Sequence, residues 1–203
     1  PKPLARNIAG PGRGFPERST WLSIRLRRTS GFPRCSRRWA GGMAAIVGLD
    51  EEAVRAVCNQ ADVSLANLNC PGQIVVSGDT DKIDADCDAA KTAGAPRAIP
   101  LPVAGAYHSP LMQPAQSGLG EILAKVELCE PSVPVYSNVT GQAHDNARTI
   151  AGTMVEQVTS PVKWEACIHA MIADGVTRFI ELGPGTALTG FMRRIDRTAE
   201  VLN

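Results

Sequence analysis

The sequence predicts an α/β protein built around a compact β-α-β-β-α-β unit. Three observations carry that reading. Short apolar runs bounded by Gly, Pro, Asn or Asp recur from Gly42 onward, as strands do. Stretches with apolar residues at helical spacing lie between them. Most of those stretches open on a Ser, Thr, Asp or Asn able to cap a helix.

The elements follow in order. Met43-Ala-Ala-Ile-Val47 is a first strand, closed by Gly48. Asp50 caps a helix whose first turn holds Glu51 and Glu52, where carboxylates suit the positive end of the helix dipole. Val54, Val57 and Cys58 give that helix one apolar face. Val63 to Leu68 alternates as a strand, Asn69-Cys-Pro-Gly-Gln73 reads as a turn, and Ile74 to Val76 is a third strand ending at Ser77-Gly78. Asp79 or Thr80 caps a second helix, which runs to about Ala93 and stops at Gly94. Arg97 to Val103 is the fourth strand, and its prolines assign it to a sheet edge or a strand end. Strand, helix, strand, strand, helix, strand is the order of a split βαβ, or ferredoxin-like, unit.

The remainder continues as α/β. A helix is expected from about Pro110 to Lys125, with Ser109 as its N-cap and Pro110 at its first position. A short strand from Val133 to Tyr136 and a turn at Thr140-Gly141 follow, then helices over Arg148 to Val158 and from Val162 to just before Gly175. The strand Arg178 to Leu182 leads through Gly183-Pro-Gly185 into a helix from Thr186 to Ile195. A strand, a glycine turn and a helix are also the layout that cradles a phosphate. This one lacks the lysine of a P-loop and the third glycine of a dinucleotide fingerprint, so close strand–helix packing is its expected role.

The net charge of +1 conceals two opposite halves. Residues 1–42 carry ten Lys/Arg against Glu17 alone, for a charge of +9, and residues 43–203 carry −8. The first 42 residues hold five Pro and six Gly, show no sustained apolar period, and read as a disordered or out-of-frame segment. A nucleic-acid partner is not expected for this basic arm, because no recognised fold presents its aromatics. Three units are therefore expected: 1–42, 43–104 and 105–203. No apolar run approaches the roughly 18 residues of a membrane span, so no membrane association is expected. The six cysteines form no C-x-x-C pair and read as reduced thiols of a cytoplasmic protein.

The stretch Val103 to Pro114 is the strongest candidate for chemistry. Its prolines keep it out of a helix interior, so His108 occupies a loop between a strand and a helix, where an imidazole is free to react.

Seven stretches, in order across residues 42–195, resemble the malonyl-CoA:acyl-carrier-protein transacylase family and, more distantly, the acyltransferase domains of polyketide synthases. They are Gly42-Met-Ala-Ala-Ile-Val-Gly-Leu-Asp50, Asn67-Leu-Asn-Cys-Pro-Gly-Gln73, Arg97-Ala-Ile-Pro-Leu-Pro-Val103, Tyr107-His-Ser-Pro-Leu-Met112, Val135-Tyr-Ser-Asn-Val-Thr-Gly141, Gln157-Val-Thr-Ser-Pro-Val-Lys-Trp164 and Glu181-Leu-Gly-Pro-Gly-Thr-Ala-Leu-Thr-Gly190. The resemblance implies a ferredoxin-like subdomain followed by the C-terminal part of an α/β-hydrolase-like acyltransferase body, with the active cleft between them. It implies ping-pong transfer of malonyl from malonyl-CoA through a serine to acyl carrier protein, without cofactor or metal, in fatty acid biosynthesis by a monomer. His108 is then the general base, oriented by the main-chain carbonyl at Gln157. Asn67, Asn69, Gln73 and Arg97 match positions on the coenzyme A side of the cleft. The Gly-His-Ser-Leu-Gly elbow that carries the family's nucleophile has no counterpart here, since no G-x-S-x-G occurs in the 203 residues. The competing reading is a non-catalytic ferredoxin-like module that holds coenzyme A or a carrier protein.

Overall fold

The computed structural model describes residues 41–103 and 105–203, so the expectation for the basic arm, up to residue 40, lies outside the described residues. Strand β1 (Gly42–Val47) leads into helix α1 (Glu51–Ala61), whose N-cap Asp50 accepts from the Ala53 amide at 2.8 Å. Strands β2 (Ser64–Cys70) and β3 (Gln73–Gly78) form a hairpin. Its two-residue turn has Pro71 at the first corner and Gly72, at φ +67, at the second, where the positive angle suits glycine. Helix α2 (Thr80–Thr92) and edge strand β4 (Arg97–Pro100) complete the unit. The sheet order is β2-β3-β1-β4 and every pairing is antiparallel, so the two β-α-β crossovers interleave.

Pleating divides the sheet into two apolar faces. Ala44, Ile46, Ile74 and Val76 face α1 and α2, where Val54, Val57, Ile83 and Ala90 close the main core. Met43, Ala45, Ala66 and Val75 form a smaller cluster on the opposite face. Beyond β4 come a short 3-10 turn (Pro110–Met112), helix α3 (Gln113–Leu123), helix α4 (Ala147–Glu156) and helix α5 (Trp164–Ala173). Strand β5 (Arg178–Ile180), helix α6 (Ala187–Ile195) and strand β6 (Glu200–Leu202) follow, with β5 and β6 paired in parallel. No helix among the described residues is long and apolar enough to cross a membrane.

Several expectations need correcting. The helix expected from Pro110 begins as a 3-10 turn, because Pro114 has no N–H to offer the Pro110 carbonyl and the Gln113 amide takes it instead. Val133 to Tyr136 is no strand; only Tyr136 bridges, to Ala143, since Pro134 cannot donate to a ladder. Val162 does not start a helix, because its amide and carbonyl are engaged along β2, by Ala66 and Leu68. The fourth strand stops at Pro100, although the Leu101 amide still reaches the Met43 carbonyl. Strand β6 had no counterpart in the sequence reading.

One buried charge stands out in the main core. Asp86 on α2 is 0% exposed and neither carboxylate oxygen has a partner. Desolvation pushes its pKa up to about 6, and its charge adds to the burial that pushes the Cys58 thiol on α1 up to about 12. A raised folded-state pKa favours folding while the group is protonated, so this contribution is complete below about pH 4 and is lost as the pH rises through about 6. Asp86→Asn should therefore remove a loss of stability between pH 4 and pH 7 on the order of 2–3 kcal/mol, at about 1.4 kcal/mol per pKa unit. Thermal melts of both proteins across that range check this; parallel pH profiles would refute it.

Candidate active site

His108 lies in the loop between β4 and the 3-10 turn, half-buried, with φ at +59. A non-glycine residue adopts that left-handed conformation only where its surroundings impose it. Here Ser109, 1% exposed, donates its hydroxyl to the Ala106 carbonyl at 2.7 Å and closes the turn around His108. Ala106 in turn rests against Gly41: a Cβ on Gly41 would stand 2.6 Å from the Ala106 Cβ, so only glycine lets the loop lie on the start of β1. Ser109 occupies the N-cap position expected of it but makes no side-chain capping bond, its hydroxyl being engaged by Ala106.

The imidazole Nδ1 is 2.8 Å from the main-chain oxygen of Gln157. A carbonyl only accepts, so Nδ1 carries the proton and Nε2 keeps its lone pair. Gln157 is the C-cap of α4, and its carbonyl belongs to the last turn, whose oxygens a helix leaves without intrahelical partners. The next amides do not compete, because Thr159 and Ser160 both bond to the Glu156 oxygen. Thr159 ties this turn to α3 by donating its hydroxyl to Gln116 Oε1 at 2.8 Å. That contact was invisible in the sequence, since the two residues lie 43 positions apart with no local pattern linking them.

The four other candidates sit on β2, β3 and β4. Asn67 pairs with Val75 on β3 and forms a parallel bridge to Val162 on its other side. The short run from Gln157 to Val162 thus joins the partner of His108 to the neighbour of Asn67. Asn69 is 9% exposed. Gln73 and Arg97 both lie opposite Val47 in the register, on one face of the sheet. The Cys70 thiol donates to Gln73 Oε1 at 3.6 Å, which leaves the amide nitrogen of Gln73 as its open donor. Arg97 is exposed. About 20 Å of β1 separates the Gly41 end, under the His108 loop, from the Val47 end beside Arg97. The geometry therefore brings together His108 and Gln157, and separately Gln73 and Arg97; a ligand touching both sets must be long.

The glycine turn before α6 resolves plainly. The Glu181 carboxylate accepts from the Leu188 amide at 3.0 Å and from the Thr189 amide and hydroxyl at 2.9 and 2.6 Å. It caps α6 in place of Thr186, and those bonds, led by the Thr189 hydroxyl, hold its pKa below the usual range. A carboxylate already occupies the position a phosphate would take.

The model of the acyl transferase domain family matches residues 26–200. The chain belongs to this family. The match starts inside the basic arm and runs nearly to the end of the chain. Among acyl transferase relatives, the malonyl CoA-acyl carrier protein transacylase of Bacillus subtilis is 43% identical over 167 residues, covering 80% of this chain and 53% of the relative. The enzyme of the same name from Escherichia coli K12 is 41% identical over 169 residues, covering 80% and 55%. The crystal structure of an acyl carrier protein S-malonyltransferase from Vibrio cholerae superposes with a TM-score of 0.78 at 41% identity, over 80% of this chain and 55% of that one. A malonyl-transacylase solved in complex with a type II polyketide synthase acyl-carrier protein gives 0.77 at 36% identity, over 80% and 54%. The chain spans about half the length of the curated relatives it matches.

Because a main-chain oxygen orients His108, Gln157→Ala should leave Nδ1 as the protonated nitrogen, read from the imidazole 15N shifts by NMR. Ser109→Ala should cost about 1 kcal/mol of stability through the lost hydroxyl bond, measured by denaturant titration. A switch of tautomer in Gln157→Ala would show that the side chain, not the carbonyl, holds the ring.

Proposed function

We propose that this chain carries the general base and the coenzyme A-facing wall of a malonyl-CoA:acyl-carrier-protein transacylase. The observation that carries the reading is the bond from His108 Nδ1 to the Gln157 oxygen, which leaves Nε2 as a proton acceptor. In this reading residues 43–104 are a ferredoxin-like subdomain and residues 105–203 are the C-terminal part of an α/β-hydrolase-like body. The protein works in the cytoplasm as a monomer in fatty acid synthesis, with malonyl-CoA and acyl carrier protein as its partners.

The chemistry balances as two acyl transfers. His108 Nε2 removes the proton of a serine hydroxyl as the serine oxygen bonds to the thioester carbon. The carbon–sulfur bond then breaks, and the departing coenzyme A thiolate takes the proton from the imidazolium. The carrier's phosphopantetheine thiol reverses these steps, giving up its proton to His108 and taking the malonyl group from the serine. Arg97, exposed at the start of β4, pairs with a phosphate of coenzyme A. Asn67, Asn69 and the open amide nitrogen of Gln73 hydrogen-bond the pantetheine arm. The serine is not drawn from these 203 residues, which contain no G-x-S-x-G.

The test is a chimera that joins the unmatched portion of the Bacillus subtilis relative to residues 42–203 of this chain. It should move malonyl from coenzyme A to acyl carrier protein, and His108→Ala should lower kcat/KM by about 10²–10⁴-fold. The 203-residue chain alone should form no malonyl-enzyme with labelled malonyl-CoA. A chimera indifferent to His108→Ala, or labelling of the chain alone, would overturn the assignment.

A further inference from the structure

Two hydrogen bonds cross the same joint. One runs from the His108 ring to the Gln157 oxygen and the other from the Thr159 hydroxyl to Gln116 Oε1, each at 2.8 Å. His108 and Gln116 share one segment, and it is bonded along its length. The Met112 amide donates to the Ser109 oxygen, the Gln113 amide to the Pro110 oxygen, and α3 follows at once. Gln157 and Thr159 share the other segment, at and just past the C-cap of α4. A joint crossed by one bond can pivot about it, and a second bond removes that freedom.

Little else fixes the joint. No described residue of α3 or α4 is buried. Among the described residues no other side-chain hydrogen bond joins 113–123 to 147–160. At the end of α4 the Val158 and Thr159 amides make long bonds three residues back, at 3.3 and 3.2 Å, in the manner of a helix end that tightens and frays. The Thr159 hydroxyl has a second acceptor in that turn, the Glu156 oxygen at 3.5 Å. It has one hydrogen to give, and the shorter distance assigns it to Gln116. Without Gln116 the hydroxyl turns back on its own helix, and the end of α4 is released from α3.

We propose that Gln116 is a positioning residue for the general base: acting through Thr159, it holds the Gln157 oxygen where His108 Nδ1 can donate to it. The proposal rests on the catalytic reading of His108 and adds a residue that acts at one remove from the ring.

The experiment reads the neutral His108 ring in the full 203-residue chain by 15N NMR, as the ratio of its Nδ1–H to its Nε2–H form. His108→Ala identifies the signals. Gln116→Leu, close in size and without an acceptor, should lower that ratio about fivefold, the worth of one ordinary hydrogen bond. Thr159→Val, which trades the hydroxyl for a methyl, should lower it as much, and the two together no further. Thr159→Ser, which keeps the hydroxyl, should restore it. A clip that serves stability alone gives lower melting temperatures for Gln116→Leu and Thr159→Val with the wild-type ratio kept. That outcome overturns the proposal and leaves the catalytic reading intact, as does a ratio that falls equally in Thr159→Ser. A wild-type ring protonated at Nε2 overturns both. In the chimera with the Bacillus subtilis portion, Gln116→Leu should lower kcat while KM for malonyl-CoA is held, and an active chimera whose kcat ignores it overturns the proposal. A chimera that transfers nothing, beside a ratio that follows the clip, supports the positioning role and counts against the catalytic reading alone.

Discussion

A single main-chain oxygen organises the site. Helix α4 ends so that the Gln157 carbonyl has no amide of its own to serve, and the His108 ring fills that vacancy at 2.8 Å. The contact sets the tautomer, aims the ring and places it at the negative end of a helix. Everything around it serves to bring two distant backbones to that distance. Gly41 admits Ala106, Ser109 closes the loop, and Thr159 clips the end of α4 to α3. The left-handed φ of His108 is the local cost of this arrangement, and the buried Ser109 bond helps to offset it.

Charge is handled differently in the two faces of the sheet. The face toward α1 and α2 buries Asp86 with no partner, against the usual rule that a buried carboxylate is paired or bonded. The opposite face carries Gln73 and Arg97, with the guanidinium left in solvent. The turn at Pro71-Gly72 is held from outside by Arg194, whose guanidinium donates to the Pro71 carbonyl. A basic residue from α6 thus steadies the same hairpin that presents Asn69 and Gln73.

The sequence was informative wherever structure is local. Asp50 three residues before the Ala53 amide, Pro71-Gly72 between alternating strands, and prolines confining β4 to an edge all act within a few positions. The reading failed where a partner comes from elsewhere. Val162 has a helical neighbourhood but is captured by β2, and Val133 to Tyr136 has strand chemistry without a ladder to join. β6 is three residues long and exists only because β5 lies beside it. The same division holds for the site. The loop position of His108 was legible from its prolines, whereas the bond from Thr159 to Gln116 and the use of Glu181 as a cap are tertiary facts. Gln157 stands between the two, since a carbonyl acceptor leaves no mark on residue identity.

The bridge between Asn67 and Val162 has a mechanical consequence. Two hydrogen bonds, from Leu68 to the Val162 oxygen and from Val162 to the Ala66 oxygen, stitch the run after α4 onto the free edge of β2. The six residues from Gln157 to Val162, about five steps of chain, reach at most about 18 Å when fully drawn out, and here they are coiled through a turn. The imidazole and the hairpin are therefore yoked by a short tether fastened at both ends. Any displacement of one drags the other with it, and relative movement has to be taken up elsewhere in the chain.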